Sequence, residues 1–456
     1  MKKLFKSENI NMTEGKPLRL LLAFAIPQIL GNIFQQCYTV TDTAIVGRGV
    51  GITALAAIGA VDWLAWLPFC IPQGFTQGFA IMASQKYGEG DEGGVRRIVG
   101  QSVRMTIIMS VLCTAIGILG MPLFLQLMNV KEELRPLAST YLYFLFGGFT
   151  IAAFYNLTAS MLRAVGDSRT PLIAMVISSL LNIALDAVVV FGFGWGVAGA
   201  AGATVFAQIV ATVICGAKML KTRMLCPEAE DLKRFPEITK GLFRLGAPMC
   251  LMNLIICIGG LIVFSVVNGF SISFIAGYTA TNKLYGVLEM AAISYGYAVT
   301  TYVGQNYGAK KVDRIKKGVV TAVHLSVVTA LFVGAMMILF GRQITGLFLS
   351  SDDPEVLALA GDAAYDFLKI MSIFLPVLYL LYAYRAALQG LGDTVSPLIS
   401  GIVEFALRVG TAIYVGKTGV ERGIFFAEVL AWAGAMLLLT VMYYVRRGQV
   451  FKKLRA

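Results

Sequence analysis

Two aspartates stand inside apolar runs, where a chain rarely keeps a charge without using it. Asp42 lies in Tyr38-Thr39-Val40-Thr41-Asp42-Thr43, and Asp186 in Asn182-Ile183-Ala184-Leu185-Asp186. An ionisable group at bilayer depth costs roughly 2.5–3.5 kcal/mol on insertion scales, so each needs a partner or a task. Asn182 and Asp186 are one helical turn apart and share a helix face. Thr204, early in the next apolar run, adds a hydroxyl oxygen. Two carboxylates, an amide and a hydroxyl make an oxygen-rich cage that can hold Na⁺. Alternatively, two crowded carboxylates share a proton. A third reading is a hydrogen-bonded cluster that only fixes helix packing.

The elements that must position these groups are written twice. Gln85-Lys86-Tyr87-Gly88 returns about 220 residues later as Gln305-Asn306-Tyr307-Gly308. Gly166-Asp167-Ser168-Arg169-Thr170-Pro171 is echoed by Gly392-Asp393-Thr394-Val395-Ser396-Pro397, and Leu22 to Pro27 by Phe243 to Pro248. Apolar residues make up 57% of the chain and charged ones only 14%, against about one-quarter charged in soluble domains. A bilayer core needs about 20 apolar residues per helix. Twelve spans meet that: about 18–46, 53–82, 97–120, 136–160, 170–192, 197–219, 241–267, 273–303, 318–340, 359–387, 396–416 and 421–445. The expected fold is an all-α membrane protein of twelve transmembrane helices. They form two six-helix bundles related by a pseudo-twofold axis along the membrane normal, as in parallel repeats. Residues 1–220 form the N-terminal lobe, 221–240 a polar cytoplasmic linker, and 241–456 the C-terminal lobe. Pro27 and Pro248 fall inside the first helix of each half and mark kinks.

With the N-terminus in the cytoplasm, the outside loops hold only Arg48, Lys131, Arg135, Arg342, Lys417 and Arg422. Every other loop or terminal Lys and Arg falls inside, so both termini are cytoplasmic. This placement accounts for the net charge of +12 without a nucleic-acid partner. Met1 to Arg19 is basic, but the apolar run behind it is too long for a cleavable signal core. The seven cysteines show no metal-ligand spacing and read as packing residues.

The second half carries a different set of charges. Glu404 and Arg408 lie one turn apart in the eleventh span. On the offset of the two Gly-Asp turns, Arg408 falls where Asn182 stands and Glu404 where Ser178 stands. Arg408 then reads as a tethered cation in the place an ion takes in the first half, with Glu404 as its partner in a second-lobe charge network. The alternative is a static ion pair. Glu289, in the eighth span, either joins that network or meets a cationic substrate. Asp62, Trp63 and Trp66 offer either a cation-binding aromatic face or interfacial anchors. Met82, Met161, Met175, Met252 and Met290 suit an adaptable binding surface or ordinary packing.

Two motifs tempt and fail. Gly194-Trp195-Gly196-Val197-Ala198-Gly199 matches GxGxxG but has no βαβ context. Gly390-Leu391-Gly392-Asp393, with Tyr365-Asp366 upstream, is similar to the paired motifs of intramembrane aspartyl proteases. Asp393 falls at a cytoplasmic helix end, however, and Asp366 toward the opposite end of the same span. A channel is the other non-carrier reading.

With Asp42, Asn182, Asp186 and Thr204 on a doubled six-helix plan, the chain resembles the multidrug and toxic compound extrusion (MATE) family. The resemblance covers almost the whole length. It is carried also by Thr41-Asp42-Thr43-Ala44-Ile45-Val46-Gly47 and by the turns Arg163-Ala164-Val165-Gly166-Asp167 and Gln389-Gly390-Leu391-Gly392-Asp393. It implies an antiporter, not an enzyme, exporting lipophilic and often cationic compounds in exchange for Na⁺ or H⁺, with no cofactor. It implies a first-lobe cation site at Asp42, Asn182, Asp186 and Thr204, with Tyr38 and Tyr141 as neighbours and Pro27 as the bend of the first helix. With Glu289, Met161 and Met175, the two tyrosines are the substrate-cavity candidates. One branch of the family places acids in the seventh and tenth helices; this chain has Asn253 in the seventh and no acid in the inner part of the tenth. The expectation is a monomeric drug or metabolite exporter of a bacterial or archaeal inner membrane, working by alternating access. The rival within the same superfamily is a flippase for lipid-linked sugars, which needs several arginines where this chain offers mainly Arg408 among acids.

Overall fold

The computed structural model describes residues 10–51, 53–54, 57–58, 61, 67–127, 130–349 and 353–455. Asp62, Trp63 and Trp66 lie outside the described residues. Lipid offers the backbone no hydrogen-bonding partner, so a segment that crosses it must satisfy its own N–H and C=O groups. The chain does this with helices throughout and is an all-α membrane protein. The described residues of all twelve expected spans are helical, with one break at Gly148. Nine described helices are long and apolar enough to cross a bilayer, ten if a bent pair is taken as one span.

The first set comprises α1 (Pro17–Gly49), α2 (Cys70–Glu89), α3 (Glu92–Leu127), α4 (Arg135–Gly147), α5 (Phe149–Ala164), α6 (Arg169–Ala187) and α7 (Gly196–Lys221). The second comprises α8 (Pro236–Val267), α9 (Ile272–Gly308), α10 (Val312–Gly346), α11 (Pro354–Gly390), α12 (Val395–Thr418) and α13 (Phe425–Arg455). The span expected at 136–160 is the bent pair, α4 and α5, turned by 44°. The cause is the adjacent Gly147 and Gly148, which lower helix propensity at that point. A π-helical turn, Val188–Gly192, prolongs α6.

Two compact units emerge. Unit 1 holds residues 10–11 and Ile26–Cys250; unit 2 holds Met12–Ala25 and Leu251–Ala456. The borders therefore fall inside α1 and α8, beside Pro27 and Pro248. In unit 1, α7 packs along α6 and α5, and α2 along α5 and α3. In unit 2, α11 is the hub, packing along α9, α10 and α13, while α12 packs on α13.

The doubled Gly-Asp turn is the same device in both units. Gly166 and Gly392 sit at φ 90° and 84°, a left-handed conformation that a Cβ disfavours. Asp167 Oδ1 then accepts the backbone N–H groups of Arg169 (3.1 Å) and Thr170 (2.9 Å), and Oδ2 accepts the Thr170 hydroxyl at 2.6 Å. Asp393 repeats this with Val395 (3.1 Å), Ser396 N–H (3.0 Å) and the Ser396 hydroxyl (2.7 Å). Each aspartate satisfies free amides at a helix start.

Candidate functional site

The site is assembled along the seam between α1 and α6 in unit 1. At one end of the seam the Gln28 side chain donates to the Ser168 carbonyl at 3.1 Å, one residue beyond Pro27. Next, Gly31 packs against Met175 and Leu172 of α6. Further along, the Tyr38 hydroxyl comes close to the Thr204 hydroxyl of α7. One turn beyond, the Asp42 and Asp186 carboxyls face each other within hydrogen-bonding reach.

Asn182 links the two sides of this cluster. With its amide turned so that donors meet acceptors, it donates to Asp186 Oδ2 at 2.9 Å and accepts from the Thr204 backbone N–H at 3.1 Å. Thr204 donates its own hydroxyl to the Ala200 carbonyl at 3.1 Å. Asn182 is 1% exposed and Asp186 0%. One oxygen of each carboxyl, Asp42 Oδ1 and Asp186 Oδ1, is buried and meets no hydrogen-bond donor among the described residues. Two carboxyls this close, one of them fully buried, favour a proton on one of them or a cation beside both.

An apolar layer caps the cluster. Val46, Val190 and Ala200, each one turn from Asp42, Asp186 and Thr204, belong to one buried core cluster with Ala54 and Val197. Tyr141 packs against that layer and against a second one that includes Leu142 and Phe146. Of the methionines, Met175 is half-buried on the α1–α6 seam. Met161, by contrast, is 0% exposed in the core formed by Phe79, Leu157, Cys215 and Leu242, so it is a packing residue and not part of a cavity wall. On the other side of α1, Ile26, Leu30, Ile33 and Phe34 form an exposed apolar stripe.

Unit 2 gathers the remaining buried charges. Arg408 and Glu404 share α12 but do not pair with each other. Arg408 donates to Glu428 of α13 at 2.7 Å, and Glu404 is bridged to Arg385 of α11. The pairing expected from spacing along one helix is thus replaced by two bridges between helices. Glu289 of α9 has no arginine or lysine bridge among the described residues. It accepts from the Tyr382 hydroxyl at 3.3 Å, and Tyr285 stands one turn away on the same helix. Tyr382 lies under the Arg385 guanidinium, 5.7 Å from its ring centre, and Tyr285 stacks on Trp432 at 5.9 Å. Arg385 and Glu428 are the members that sequence reasoning missed. Glu428 carried a signal, being an acid inside the twelfth span; Arg385 carried none, because it stands close to a helix end and counts there as a loop charge.

The protease motif is dismantled by the same geometry. Asp393 is committed to its helix start and to Arg446 at 3.2 Å, and Asp366 is bridged to Arg422 at 3.1 Å. The glycines of the GxGxxG match lie in the turn before α7 and at its start.

Comparison with known proteins now decides the family. The MatE family model matches residues 27–188 and 248–413, most of the chain and both repeats. The chain belongs to the MatE family. It is 27% identical over 359 residues to the probable multidrug resistance protein YoeA of Bacillus subtilis, covering 76% of this chain and 78% of that protein. It is 27% identical to the probable multidrug resistance protein NorM of Thermotoga maritima, over 83% and 81% of the two chains. The FAD transporter of Shewanella oneidensis is 24% identical over 85% and 86%. Among solved structures, a MATE crystal structure in complex with MaL6 aligns with a TM-score of 0.91 at 24% identity, covering 98% of this chain and 100% of that one. At that identity the structural likeness speaks for the fold alone. This MatE member is a multi-pass membrane transporter, not an enzyme.

Proposed function

We propose that this transporter is a cation-coupled antiporter that exports lipophilic, cationic drugs or metabolites across a bacterial or archaeal inner membrane by alternating access. One observation carries the proposal: half-buried Asp42 and buried Asp186 face each other, each with one buried oxygen that meets no donor among the described residues. H⁺ or Na⁺ at Asp42, Asn182, Asp186 and Thr204 supplies the missing positive charge. When the ion arrives, α1 is drawn onto α6 along the seam. When it leaves, the two carboxylates repel, and α1, which turns an apolar stripe outward and carries Pro27, bends or repacks. Tyr38, one turn before Asp42 on α1, moves with it and away from the Thr204 hydroxyl of α7. Cargo is expelled only because ion and cargo prefer different conformations; without that difference in affinity there is no coupling.

The charge balance of unit 2 supports a cationic cargo. Two arginines, Arg385 and Arg408, stand among three acids, Glu289, Glu404 and Glu428, and both are taken by bridges. Glu289 is the acid left over, and an organic cation restores neutrality at its carboxyl. Because both arginines are engaged, the flippase reading, which needs free arginines for a pyrophosphate, gains nothing from them. The repeats 1–220 and 241–456, joined by 221–240, act as the two lobes of a monomer with both termini cytoplasmic. The carrier needs a bilayer and a small organic substrate, and no cofactor or nucleic acid.

The test is efflux of a fluorescent organic cation from proteoliposomes under separately imposed pH and sodium gradients. The cargo panel includes a flavin dinucleotide, because one relative is an FAD transporter. One gradient is expected to drive wild-type efflux, and Asp42→Asn to uncouple it. Efflux indifferent to both gradients overturns the antiport reading.

A further inference from the structure

A groove of about 690 Å³ opens in unit 1 beside the start of α8, lined by Arg234, Pro236, Thr239, Lys240, Phe243 and Arg244. We infer that it binds the phosphate headgroup of an anionic membrane phospholipid.

Charge is the first argument. Arg234, Lys240 and Arg244 are all exposed, and none of them takes part in an ion pair among the described residues. The acids nearest in sequence are already used. Glu230 is bridged to Lys233 at 3.5 Å, Asp231 to Arg96 at 3.1 Å, and Glu228 to Arg96 at 3.8 Å. Glu237, in the first turn of α8, is the remaining acid nearby and is not among the lining residues. Lys240 and Arg244 lie one turn apart and point along one helix face. The groove is therefore a concave surface with three cations and no carboxylate on its wall.

Depth is the second argument. Among the described spans, Pro236–Val267 contains the most apolar stretch. Its basic first turns are followed at once by that apolar stretch, which places the groove at the level of lipid headgroups. Phe243, 57% exposed, stands in the same wall. Its ring meets Phe75 of α2 at 5.8 Å, giving an apolar shoulder beside the cations. A free phosphate has no use for such a shoulder, whereas a glycerophospholipid lays its glycerol and first methylenes against it.

Rigidity is the third. α8 crosses α2 at Gly246 and Gly78, where a Cβ on Gly78 would come within 2.5 Å of the Gly246 backbone. Thr239 is anchored to Phe235 at 3.0 Å and to Gln101 of α3 at 3.2 Å. The groove wall is thus held on a fixed backbone and can wait for its ligand.

The experiment is titration of the intact, detergent-purified transporter with phosphatidylglycerol, with phosphatidylcholine and with inorganic phosphate, read by native mass spectrometry and thermal shift. Phosphatidylglycerol is expected to be retained and to stabilise the protein, and the other two are not. Removing Arg234, Lys240 and Arg244 together by Gln is expected to weaken its binding by about fivefold per cation. Lys240→Arg is expected to retain binding, and so is Lys417→Gln, which removes a basic side chain far along in unit 2. Equal retention of phosphatidylcholine overturns the inference, as does a triple variant that binds phosphatidylglycerol like wild type. Stabilisation by inorganic phosphate as strong as that by phosphatidylglycerol would assign the groove to a free anion and overturn the lipid.

Discussion

In unit 1, Asn182 on α6 reaches Thr204 on α7; in unit 2, Arg408 on α12 reaches Glu428 on α13. The repeat places Arg408 at the position of Asn182, so one scaffold position holds a neutral amide in one unit and a guanidinium in the other. The consequences differ around it. In unit 1 the acids, Asp42 and Asp186, face each other with no bridging cation among the described residues. In unit 2, Glu404 and Glu428 each have an arginine within bridging distance. A buried acid without a counter-charge is an expense that a fold does not keep for stability. Under the proposed function, ligand exchange belongs to unit 1, where the described side chains offer these acids no bridging cation. Unit 2 carries its positive charge on its own side chains.

The largest effect that can break this contrast is on transport. Asp42→Asn and Asp186→Asn each remove one of the facing carboxyls while keeping the volume. Each is expected to cut gradient-driven efflux by about tenfold or more, because a coupling loss of about 1.4 kcal/mol already costs that factor. Thermal unfolding in detergent is expected not to fall, since an unfavourable pair of buried acids has been relieved. If either variant keeps wild-type coupling, the facing acids are only a packing feature and unit 1 loses its special role.

The next effect is on stability, and it belongs to unit 2. Arg385→Met leaves Glu404 buried and alone, at an expected cost of about 3–5 kcal/mol in chemical denaturation. Adding Glu404→Leu removes the stranded charge and is expected to restore most of that loss. Arg408→Met and Glu428→Leu form a parallel pair. Arg408→Gln also tests the tethered-cation reading, and unchanged transport with unchanged ion dependence would dismiss it. If Arg385→Met is silent in denaturation, the two units do not differ in the way their charges are balanced.

The unpaired acids of unit 1 were legible in the sequence because an aspartate in an apolar run stands out whatever it touches. The Asn182–Asp186 spacing fixed a shared face, and the doubled Gly-Asp turn announced both repeats and their helix starts. The bridges of unit 2 were not legible. Which arginine meets which glutamate depends on how α11, α12 and α13 pack, and spacing along α12 alone pointed to the wrong partner for Arg408. Met161 shows the same limit: a methionine in an apolar run carries no mark of the face it will occupy. The bend at Gly148 was missed because hydropathy is continuous across it, while the backbone is not.

A smaller effect sharpens the contrast through cargo. Glu289→Gln gives unit 2 equal numbers of arginines and acids in this network. Efflux of an organic cation is expected to fall roughly five- to tenfold, the size of one charge contact of about 1–1.4 kcal/mol, while a neutral cargo of similar shape is unaffected. Equal loss for both cargoes would make Glu289 a structural member of the network.

The smallest effect concerns a feature the two units share. Asp167 and Asp393 cap equivalent helices with the same three hydrogen bonds. Alanine at either is expected to cost about 0.5–2 kcal/mol, the range of a lost helix cap. Asp167 is 1% exposed, whereas Asp393 is half-buried and also meets Arg446 at 3.2 Å. Water can replace an exposed cap in part, so Asp167→Ala is expected at the upper end of that range. Asp393→Ala is expected nearer the lower end, where losing a partly exposed bridge adds little. Chemical denaturation of both variants checks the order. Equal costs would mean that burial does not separate the two caps, and a larger cost at Asp393 would make the Arg446 bridge a main support of that turn.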